Sequence, residues 1–390
     1  MAGRQSIKGQ LYNTAPKHER ALLLAVESTE GTEGWTAADS LLELGRLADS
    51  AGADVVGSVS QHMGVPSRQQ YVGKGKLQEV LELKARLSYD LLICDDELSA
   101  RQQLALEEAL DVRVIDRTAL ILDIFARQAR TREGKLQVEL AQHRYLLPRL
   151  VGRWQHLERL GGGIGTRGPG ESQLETDRRL IRQRIRRLEE ELEHVRQHRD
   201  VYRRRRRSEG IPLVALVGYT NAGKSTLFNM LSRAGVRVED KLFSTLDPVT
   251  RRICLPGDVP VLVTDTVGFI HKLPHSIVAA FRTTLEEIGE ADVLLHVVDI
   301  SHRDAARQHA TVERILGEMG LGQRPIVTAL NKVDLVQGGG GGEDLAAVRE
   351  RLELSRPDFV PVSAATGWNV PELMERVAAT VTLVAPAPAG

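Results

Sequence analysis

Short apolar runs alternate with helical patterns over residues 19–118. The runs RALLLAVES, DVVGSV, DLLICD and VRVID predict strands, and the segments between them place apolar residues at helical spacing. Strands that alternate with helices in this way favour right-handed β-α-β units and a parallel sheet. We therefore predict an N-terminal parallel α/β domain over residues 19–118, preceded by a flexible tail over residues 1–18.

Residues 119–208 carry a different pattern, with side chains at alternating steps of four and three residues. In the first helical segment these positions are Leu136, Leu140, His143, Leu147 and Leu150. In the second segment they are Leu174, Ile181, Ile185, Leu188, Leu192, Val195 and Tyr202. Each stripe is a narrow seam that needs a partner, so the two predict an antiparallel coiled-coil hairpin with a glycine-rich tip loop over residues 161–170. The arginine run that begins at Arg203 is predicted to start a linker, Arg203–Pro212.

Strand and helix patterns alternate again over residues 211–385. IPLVALVG, VPVLVTDTVG, ADVLLHVVDI and RPIVTALNK predict buried strands, and KSTLFNMLSRAG predicts a helix. This region is therefore predicted to be a second α/β domain. Within it, QGGGGGED (residues 337–344) predicts a surface loop, and residues 386–390 predict a disordered tail.

The formal net charge of +0 conceals an uneven distribution. Residues 126–208 contain 22 Lys and Arg against 11 Asp and Glu, which leaves 30 against 41 for the rest of the 52 and 52 in the chain. A basic segment of this kind indicates contact with a polyanion, or else a solvated helix surface, and charge alone leaves both open.

Targeting and cysteine signals are few. The N-terminus lacks the apolar run of a secretory signal, and the chain has no apolar stretch long enough to span a membrane. Cys94 and Cys254 each lie in a separate apolar stretch, so we predict that both are unpaired and buried. These features together predict a cytoplasmic protein.

GYTNAGKS, Gly218–Ser225, fits the phosphate-binding loop G-x4-G-K-S and lies between a predicted strand and a predicted helix. In such a loop the backbone amides and the helix N-terminus bind phosphates, Lys224 contacts the outer phosphates and Ser225 binds Mg²⁺. Asn221 could hold a monovalent cation such as K⁺ or simply brace the loop. YVGKGKLQE lacks the full spacing and predicts a turn before a helix instead.

Three further motifs complete the pattern of a guanine-nucleotide site. DTVG provides Asp265, which can hold Mg²⁺ through water, and Gly268, whose amide can reach the terminal phosphate. NKVD provides Asp334, whose carboxylate can accept both donors of guanine, while adenine offers no such pair. In PVSAATG, the Ala364 amide could reach the guanine O6.

The segment KLFSTLDPVTR should supply a hydroxyl that reaches Mg²⁺ and the γ-phosphate, with Ser244, Thr245 and Thr250 as candidates. Phe269 stands where Ras-like proteins carry a glutamine that orients the attacking water, and a phenyl ring cannot do so. The catalytic residue is therefore left open. Lys224, Thr245 and the Gly268 backbone are the predicted stabilisers of the transition state.

The residues predicted to bind GTP are Gly218, Tyr219, Thr220, Asn221, Ala222, Gly223, Lys224, Ser225, Phe243, Ser244, Thr245, Leu246, Asp247, Asp265, Thr266, Val267, Gly268, Asn331, Lys332, Val333, Asp334, Ser363, Ala364 and Ala365. Those predicted to hold Mg²⁺ are Ser225, Thr245 and, through water, Asp265.

The chain resembles the HflX family of translation-associated GTPases over residues 19–384. The resemblance rests on YVGKGKLQEV, VELAQHRYLLPRL, GPGESQLETDRRLI, GYTNAGKST, FSTLDPVTR, DTVGFI and NKVD. It favours Thr245 as the Mg²⁺ ligand and implies that the protein binds the large ribosomal subunit and splits ribosomes under stress. We also predict a monomer. The resemblance also implies that the hairpin tip contacts ribosomal RNA, for which we predict Arg159, Arg167, Gly168 and Gly170.

Two other functions stay open from the sequence. One is a GTPase that serves ribosome assembly or RNA modification. The other is an RNA-binding scaffold in which GTP is bound with little turnover.

Overall fold

The computed structural model describes residues 18–27, 35–63, 70–158, 169–208, 210–232, 235, 239, 241–274, 277, 282–337 and 359–384. Residues 1–17 of the predicted N-terminal tail, the predicted C-terminal tail, the glycine-rich segment 338–344 and residues 161–168 of the predicted tip loop lie outside these ranges. Within them, no helix is both long and apolar enough to cross a membrane.

The first sheet has four parallel strands in the order β2-β1-β3-β4. Its strands are β1 Arg20–Glu27, β2 Asp54–His62, β3 Leu91–Cys94 and β4 Arg113–Asp116. Its helices are α1 Ala37–Ser50, α2 Lys74–Leu87, α3 Ala100–Leu110 and α4 Arg117–Gln128. Capping boxes at Thr36 and Ser99 fix the starts of α1 and α3 by satisfying amides that have no partner within the helix.

Two long helices follow, α5 Arg132–Glu158 and α6 Pro169–Ser208. They run antiparallel, since Glu133 pairs with Arg199 whereas Glu139, later in α5, pairs with Arg184, earlier in α6. Five of the predicted seam positions form one apolar cluster between the helices, namely Leu136, Leu140, Ile185, Leu188 and Leu192. The two helices therefore cover each other's apolar stripes.

The second sheet has six strands in the order β10-β9-β8-β5-β7-β6, and only the pairing of β6 with β7 is antiparallel. Its strands are β5 Leu213–Gly218, β6 Val249–Leu255, β7 Val259–Asp265, β8 Val293–Asp299, β9 Ile326–Asn331 and β10 Phe359–Pro361. Its helices are α7 Lys224–Ser232, α8 Arg282–Gly289, α9 Ala305–Glu318, α10 Val333–Gln337 and α11 Val370–Val384. The parallel strands end at one edge, which brings their connecting loops together.

Four predictions differ from the structure. The first helical segment predicted within residues 119–208 is two helices, α4 and α5, and α5 also packs on α3, so Leu150 lies beside α3. The arginine run from Arg203 continues α6 to Ser208 rather than forming a linker. Gly170, placed in the tip loop, belongs to the first turn of α6. Cys94 is buried as predicted, but Cys254 is exposed because it lies on the edge strand β6.

Candidate functional site

The loop between β5 and α7 has the backbone that wraps an anion. Gly218 and Gly223 have φ of 151° and 97°, which glycine adopts without strain, and Asn221 has φ of 62°, in the left-handed region that asparagine tolerates. The Lys224 ammonium donates to the carbonyl oxygens of Gly218 at 3.2 Å and Tyr219 at 2.8 Å. Burial lowers the pKa of Lys224 to about 8, although the nearby Asp265 carboxylate opposes that shift. A buried ammonium beside the free amides at the start of a helix attracts phosphate oxygens and donates hydrogen bonds to them.

Three oxygen-bearing side chains from separate motifs converge beside this loop. Ser225 Oγ donates to Asp265 Oδ2 at 2.6 Å and lies 2.7 Å from Thr245 Oγ1. Thr245 Oγ1 also donates to Asp265 Oδ2, at 3.2 Å. By contrast, Thr250 Oγ1 donates to Thr264 Oγ1 between β6 and β7. Of the candidate hydroxyls in this segment, it is therefore Thr245 that meets Ser225 and Asp265.

The donor set of this cluster fits a hard divalent cation. Asp265 is fully buried, and its Oδ1 has no hydrogen-bond partner among the described residues. Burial raises the pKa of Asp265, although the Ser225 hydroxyl and the Lys224 ammonium oppose that shift. A cation held by oxygen ligands would satisfy the carboxylate, and oxygen ligands are those that Mg²⁺ prefers.

Two glycines are required by close packing around the phosphate loop. A Cβ on Gly268 would lie 2.5 Å from the Thr220 Cα and 2.9 Å from the Lys224 ammonium. A Cβ on Gly223 would overlap the Asn331 side-chain amide. Both positions therefore leave room only for backbone, which lets backbone amides approach a ligand.

Asn331, at the end of β9, ties two loops together. Its Nδ2 donates to the Ala222 carbonyl at 2.9 Å, and its Oδ1 accepts from the Ala364 amide at 2.9 Å. The Ala364 amide, predicted to reach the guanine O6, is thus engaged with Asn331. Ser363 is buried beside it, and Ala365 is exposed on the same loop.

Lys332 and Asp334 follow Asn331 at the same edge of the sheet. The Lys332 ammonium donates to the Asn221 carbonyl at 3.0 Å and pairs with Asp299 at 2.6 Å. Asp334 Oδ1 is buried and has no hydrogen-bond partner among the described residues. A buried acceptor without a donor is costly, and the two adjacent donors of guanine would satisfy it.

Several other predicted residues turn their side chains away from the loop. Tyr219, Phe243, Leu246, Val267 and Val333 are buried in apolar clusters, and only their backbones could contact a nucleotide. The Thr266 hydroxyl donates to the Leu216 carbonyl. The Thr220 hydroxyl accepts from the Phe243 amide at 2.9 Å, and Ser244 lies on the cavity beside Thr245.

Asp247 contacts the hairpin rather than the phosphate loop. Its carboxylate accepts from the amides of Arg130 at 2.7 Å and Thr131 at 2.8 Å, at the junction of α4 and α5. Nearby, the Phe243 ring packs edge-to-face on Phe125 of α4, with centroids 4.7 Å apart. The segment that carries Thr245 is therefore attached to α4 and α5.

A buried charge cluster links the phosphate loop to the N-terminal sheet. The Arg117 guanidinium pairs with Glu43, pairs with Asp95 at 2.7 Å and donates to the His271 carbonyl at 3.0 Å. Glu43 also accepts from the Tyr219 hydroxyl. None of the sequence motifs predicted this cluster. A signal for it exists, since Glu43 stands in the apolar stripe of α1 beside Leu44 and Leu47.

The segment after Gly268 joins the same cluster. The Lys272 ammonium pairs with Asp95 and Asp96, each at 2.6 Å. The His271 ring stacks on Trp35 with centroids 4.6 Å apart. The segment that carries Thr245 and the segment that follows Gly268 flank the cation cluster, and both thus contact residues within the range 35–131.

The RNA-contact residues Arg159, Arg167 and Gly168 lie outside the described residues. Gly170 is described only as part of the α6 backbone. The structure leaves these four assignments as predictions.

A phosphate loop, converging oxygen ligands and a buried carboxylate after β9 together define a guanine-nucleotide-binding P-loop protein. Family models match most of the chain: a GTP-binding GTPase N-terminal region at residues 38–126, a GTP-binding GTPase middle region at 128–206 and a 50S ribosome-binding GTPase at 213–332.

Relatives agree with these models. GTPase HflX of Caldanaerobacter subterraneus subsp. tengcongensis is 51% identical over 319 residues, covering 82% of this chain and 73% of that protein. GTPase HflX of Escherichia coli K12 is 43% identical over 357 residues, covering 92% and 82%. A GTP-binding protein of Sulfolobus solfataricus solved with GDP is 26% identical, covers 94% and 99%, and gives a TM-score of 0.47. The chain belongs to the HflX family of GTPases, and its reaction is hydrolysis of GTP.

Proposed function

We propose that this GTPase acts as a cytoplasmic monomer that binds the large ribosomal subunit and dissociates ribosomes, with GTP hydrolysis as the switch. One observation carries the proposal: the hairpin of α5 and α6 is fastened at its base to the segments that flank the nucleotide. A hairpin attached at its base to the nucleotide-binding segments can move when GTP is replaced by GDP, and this movement can act on a large partner bound to the hairpin.

The attachment has contacts on both helices. At the start of α5, Thr131 donates to Asp247, two residues beyond Thr245. Near the end of α6, Arg199 pairs with Glu133 of α5 at 2.7 Å and with Glu287 of α8 at 3.4 Å. The base of the hairpin is therefore bound both to the segment that carries Thr245 and to α8.

The surface of α6 supports the hypothesis that the basic segment contacts a polyanion. Arg179, Arg182, Arg186 and Arg187 are exposed, and none forms an ion pair with any residue that the structure describes. The first three recur at steps of three and four residues, so they share one helix face. Arginines that lack an internal partner are suited to bind RNA phosphates, and the predicted tip contacts Arg159 and Arg167 would extend this surface.

At the nucleotide, each residue has a role that its geometry supports. Ser225 and Thr245 would coordinate Mg²⁺ directly, and Asp265 would hold it through water; the cation supplies charge neutralisation of the phosphates. Lys224 would contact the β- and γ-phosphates, and the Gly268 amide would reach the γ-phosphate. Asp334 would accept from the guanine base.

Hydrolysis would be slow in the isolated protein. Phe269 is buried with 1% of its surface exposed, so its ring orients no water at the phosphates. We propose that K⁺ near Asn221 supplies part of the missing positive charge. GTP turnover should then be faster in K⁺ than in Na⁺ at equal ionic strength, and Asn221→Ala should abolish the difference. Equal turnover of the wild type in both salts would remove K⁺ from the proposal.

The central test is sedimentation of intact ribosomes through sucrose gradients with this protein and GTP, GDP or a non-hydrolysable analogue. We expect free subunits with GTP or the analogue, and intact ribosomes with GDP. Binding to free RNA without splitting would favour ribosome assembly or RNA modification. Single-turnover phosphate release that does not respond to ribosomes would favour the scaffold.

Charge-reversal variants test the hairpin. The triple variant Arg179→Glu, Arg182→Glu, Arg186→Glu reverses the shared face and should lose ribosome binding and splitting yet retain GDP affinity. The matched control reverses three exposed basic residues elsewhere, Arg86, Arg101 and Arg252. Replacing residues 161–170 by a short neutral turn should spare intrinsic GTP hydrolysis and abolish splitting. If the control triple variant were as defective as the α6 variant, net charge rather than this surface would govern binding.

A further inference from the structure

A cluster of metal-ligand side chains lies in the second α/β unit, apart from the cation cluster at Asp265. It consists of His296 on β8 with His309 and Glu313 on α9. One ligand atom from each residue lies within 4.8 Å of those of the other two. No motif of nucleotide binding includes any of the three, and the proposed function does not use them.

The fold brings these residues together from two elements. His296 points to the same sheet face as Leu294, and α9 packs on that face of β8 and β5. His309 and Glu313 are one helical turn apart, so both project toward the strand. His296 is buried, with 1% of its surface exposed, whereas His309 and Glu313 are half-buried. Solvent can therefore reach the cluster from the side of the helix.

The distance between the two imidazole rings is close to the distance expected when both rings bind one metal ion. The two imidazole rings have centroids 5.0 Å apart and an interplanar angle of 14°. Two imidazoles on one tetrahedral ion have centroids about 5 Å apart, because each metal–nitrogen bond is about 2.0–2.1 Å long. His296 Nδ1 lies 3.8 Å from Glu313 Oε1, so a small rotation of the half-buried glutamate would bring both atoms within reach of one ion.

The donor types decide which metal fits. Two imidazole nitrogens and one carboxylate are the ligand set of open zinc sites, in which water takes the fourth position. Mg²⁺ prefers oxygen ligands and keeps several waters. The oxygen ligands of Ser225, Thr245 and Asp265 therefore fit Mg²⁺ better than the imidazoles of this cluster do. We propose that His296, His309 and Glu313 form a binding site for a divalent transition metal, Zn²⁺ in the first place, that fastens α9 to β8.

The test uses the full chain, stripped with chelator and dialysed against micromolar Zn²⁺ in the presence of millimolar Mg²⁺. Elemental analysis should find about one tightly held zinc per chain in the wild type. His309→Ala and Glu313→Gln should each weaken zinc binding by about tenfold or more. These two positions are half-buried, so substitution should leave the fold intact, and unchanged GDP affinity would verify that.

His194→Ala is the matched control, because His194 is an exposed histidine on α6 that lies outside the cluster. It should bind zinc as the wild type does. Co²⁺ in place of Zn²⁺ should give the visible absorption of a tetrahedral site, and His309→Ala should abolish it. Zinc should also raise the melting temperature of the wild type but not that of His309→Ala.

The proposal is overturned if the wild type holds no more zinc than His309→Ala, or if zinc raises both melting temperatures equally. Neither readout depends on ribosomes or on GTP turnover. Failure of this site would therefore leave the proposed function untouched, and the reverse also holds.

Discussion

Replacing Arg117 by methionine tests whether the buried charge cluster joins the two α/β units. The guanidinium is 1% exposed and pairs with Glu43 and Asp95. Methionine fills a similar volume without charge, so it leaves two buried carboxylates with fewer partners. Asp95 keeps the Lys272 ammonium at 2.6 Å and the Ser40 hydroxyl at 2.6 Å, whereas Glu43 keeps only the Tyr219 hydroxyl of the partners described for it.

The magnitude follows from the cost of neutralising Glu43. Burial already raises the pKa of Glu43 above its ordinary value of 4.5, with Arg117 opposing the shift. Without Arg117 the folded protein takes up a proton at Glu43, and neutralising a carboxyl at pH 7 costs about 3 kcal/mol. Removing one partner of a buried pair costs about 3–5 kcal/mol in general, so we expect a loss in that range.

The pH dependence supplies the sharper test. When the folded state raises the pKa of a carboxyl, the protein becomes more stable as the pH falls toward the pKa of the unfolded chain. The deficit of Arg117→Met should therefore shrink between pH 7 and pH 5, by up to about 3 kcal/mol. Urea unfolding followed by tryptophan fluorescence at both pH values measures it. Glu43→Gln together with Arg117→Met should recover much of the loss at pH 7. A deficit that stays constant with pH, or a double variant no better than the single, would refute this reasoning.

Three further predictions concern single positions. Asp334→Asn should exchange an acceptor for a donor and shift binding from guanine toward xanthine nucleotides, and unchanged GTP affinity in a competition assay would contradict it. Thr245→Ala should weaken Mg²⁺-dependent GTP binding about tenfold or more, whereas the control Thr250→Ala should not; equal titration curves would remove Thr245 as a ligand. Burial, reinforced by Arg117, lowers the pKa of His271 to about 3. The stability that its neutral ring provides above pH 6.5 is therefore lost as pH falls, by about 2 kcal/mol from pH 7 to pH 5. His271→Phe should remove that part of the slope in urea unfolding, and an identical slope would exclude His271 as its source.

Local patterns predicted the elements that depend on neighbours in the chain. Alternation of apolar runs and helical patterns located every strand of the first sheet to within one to three residues. The seam of the hairpin was also predictable, because residues such as Leu136 and Leu188 lie on single helices with regular spacing. The break at residues 129–131 was missed. Thr131 marks it locally by accepting from the Gly134 amide at 2.9 Å, but only the tertiary structure shows that α4 packs on the first sheet while α5 packs along α6.

The same distinction applies to side-chain roles. Cys254 stands in an apolar stretch, and only the position of β6 at the edge of the sheet exposes it. Asp247 belongs to a nucleotide-site motif, but its carboxylate binds amides 116 and 117 positions away. Contacts over such distances depend on how the α/β units pack, and no local pattern encodes them.

By itself, the sequence determined the family, the order of the α/β units and the hairpin, and the phosphate-loop motif, because a phosphate loop is built from consecutive backbone. Only the tertiary structure decided that Arg117 neutralises Glu43 and Asp95 under the segment that follows Gly268. It also brought His296 beneath His309 and Glu313. A sequence does not show whether a charged residue or a histidine is buried or exposed. Burial beside particular partners decides the pKa of each such side chain and the ligands that it can bind.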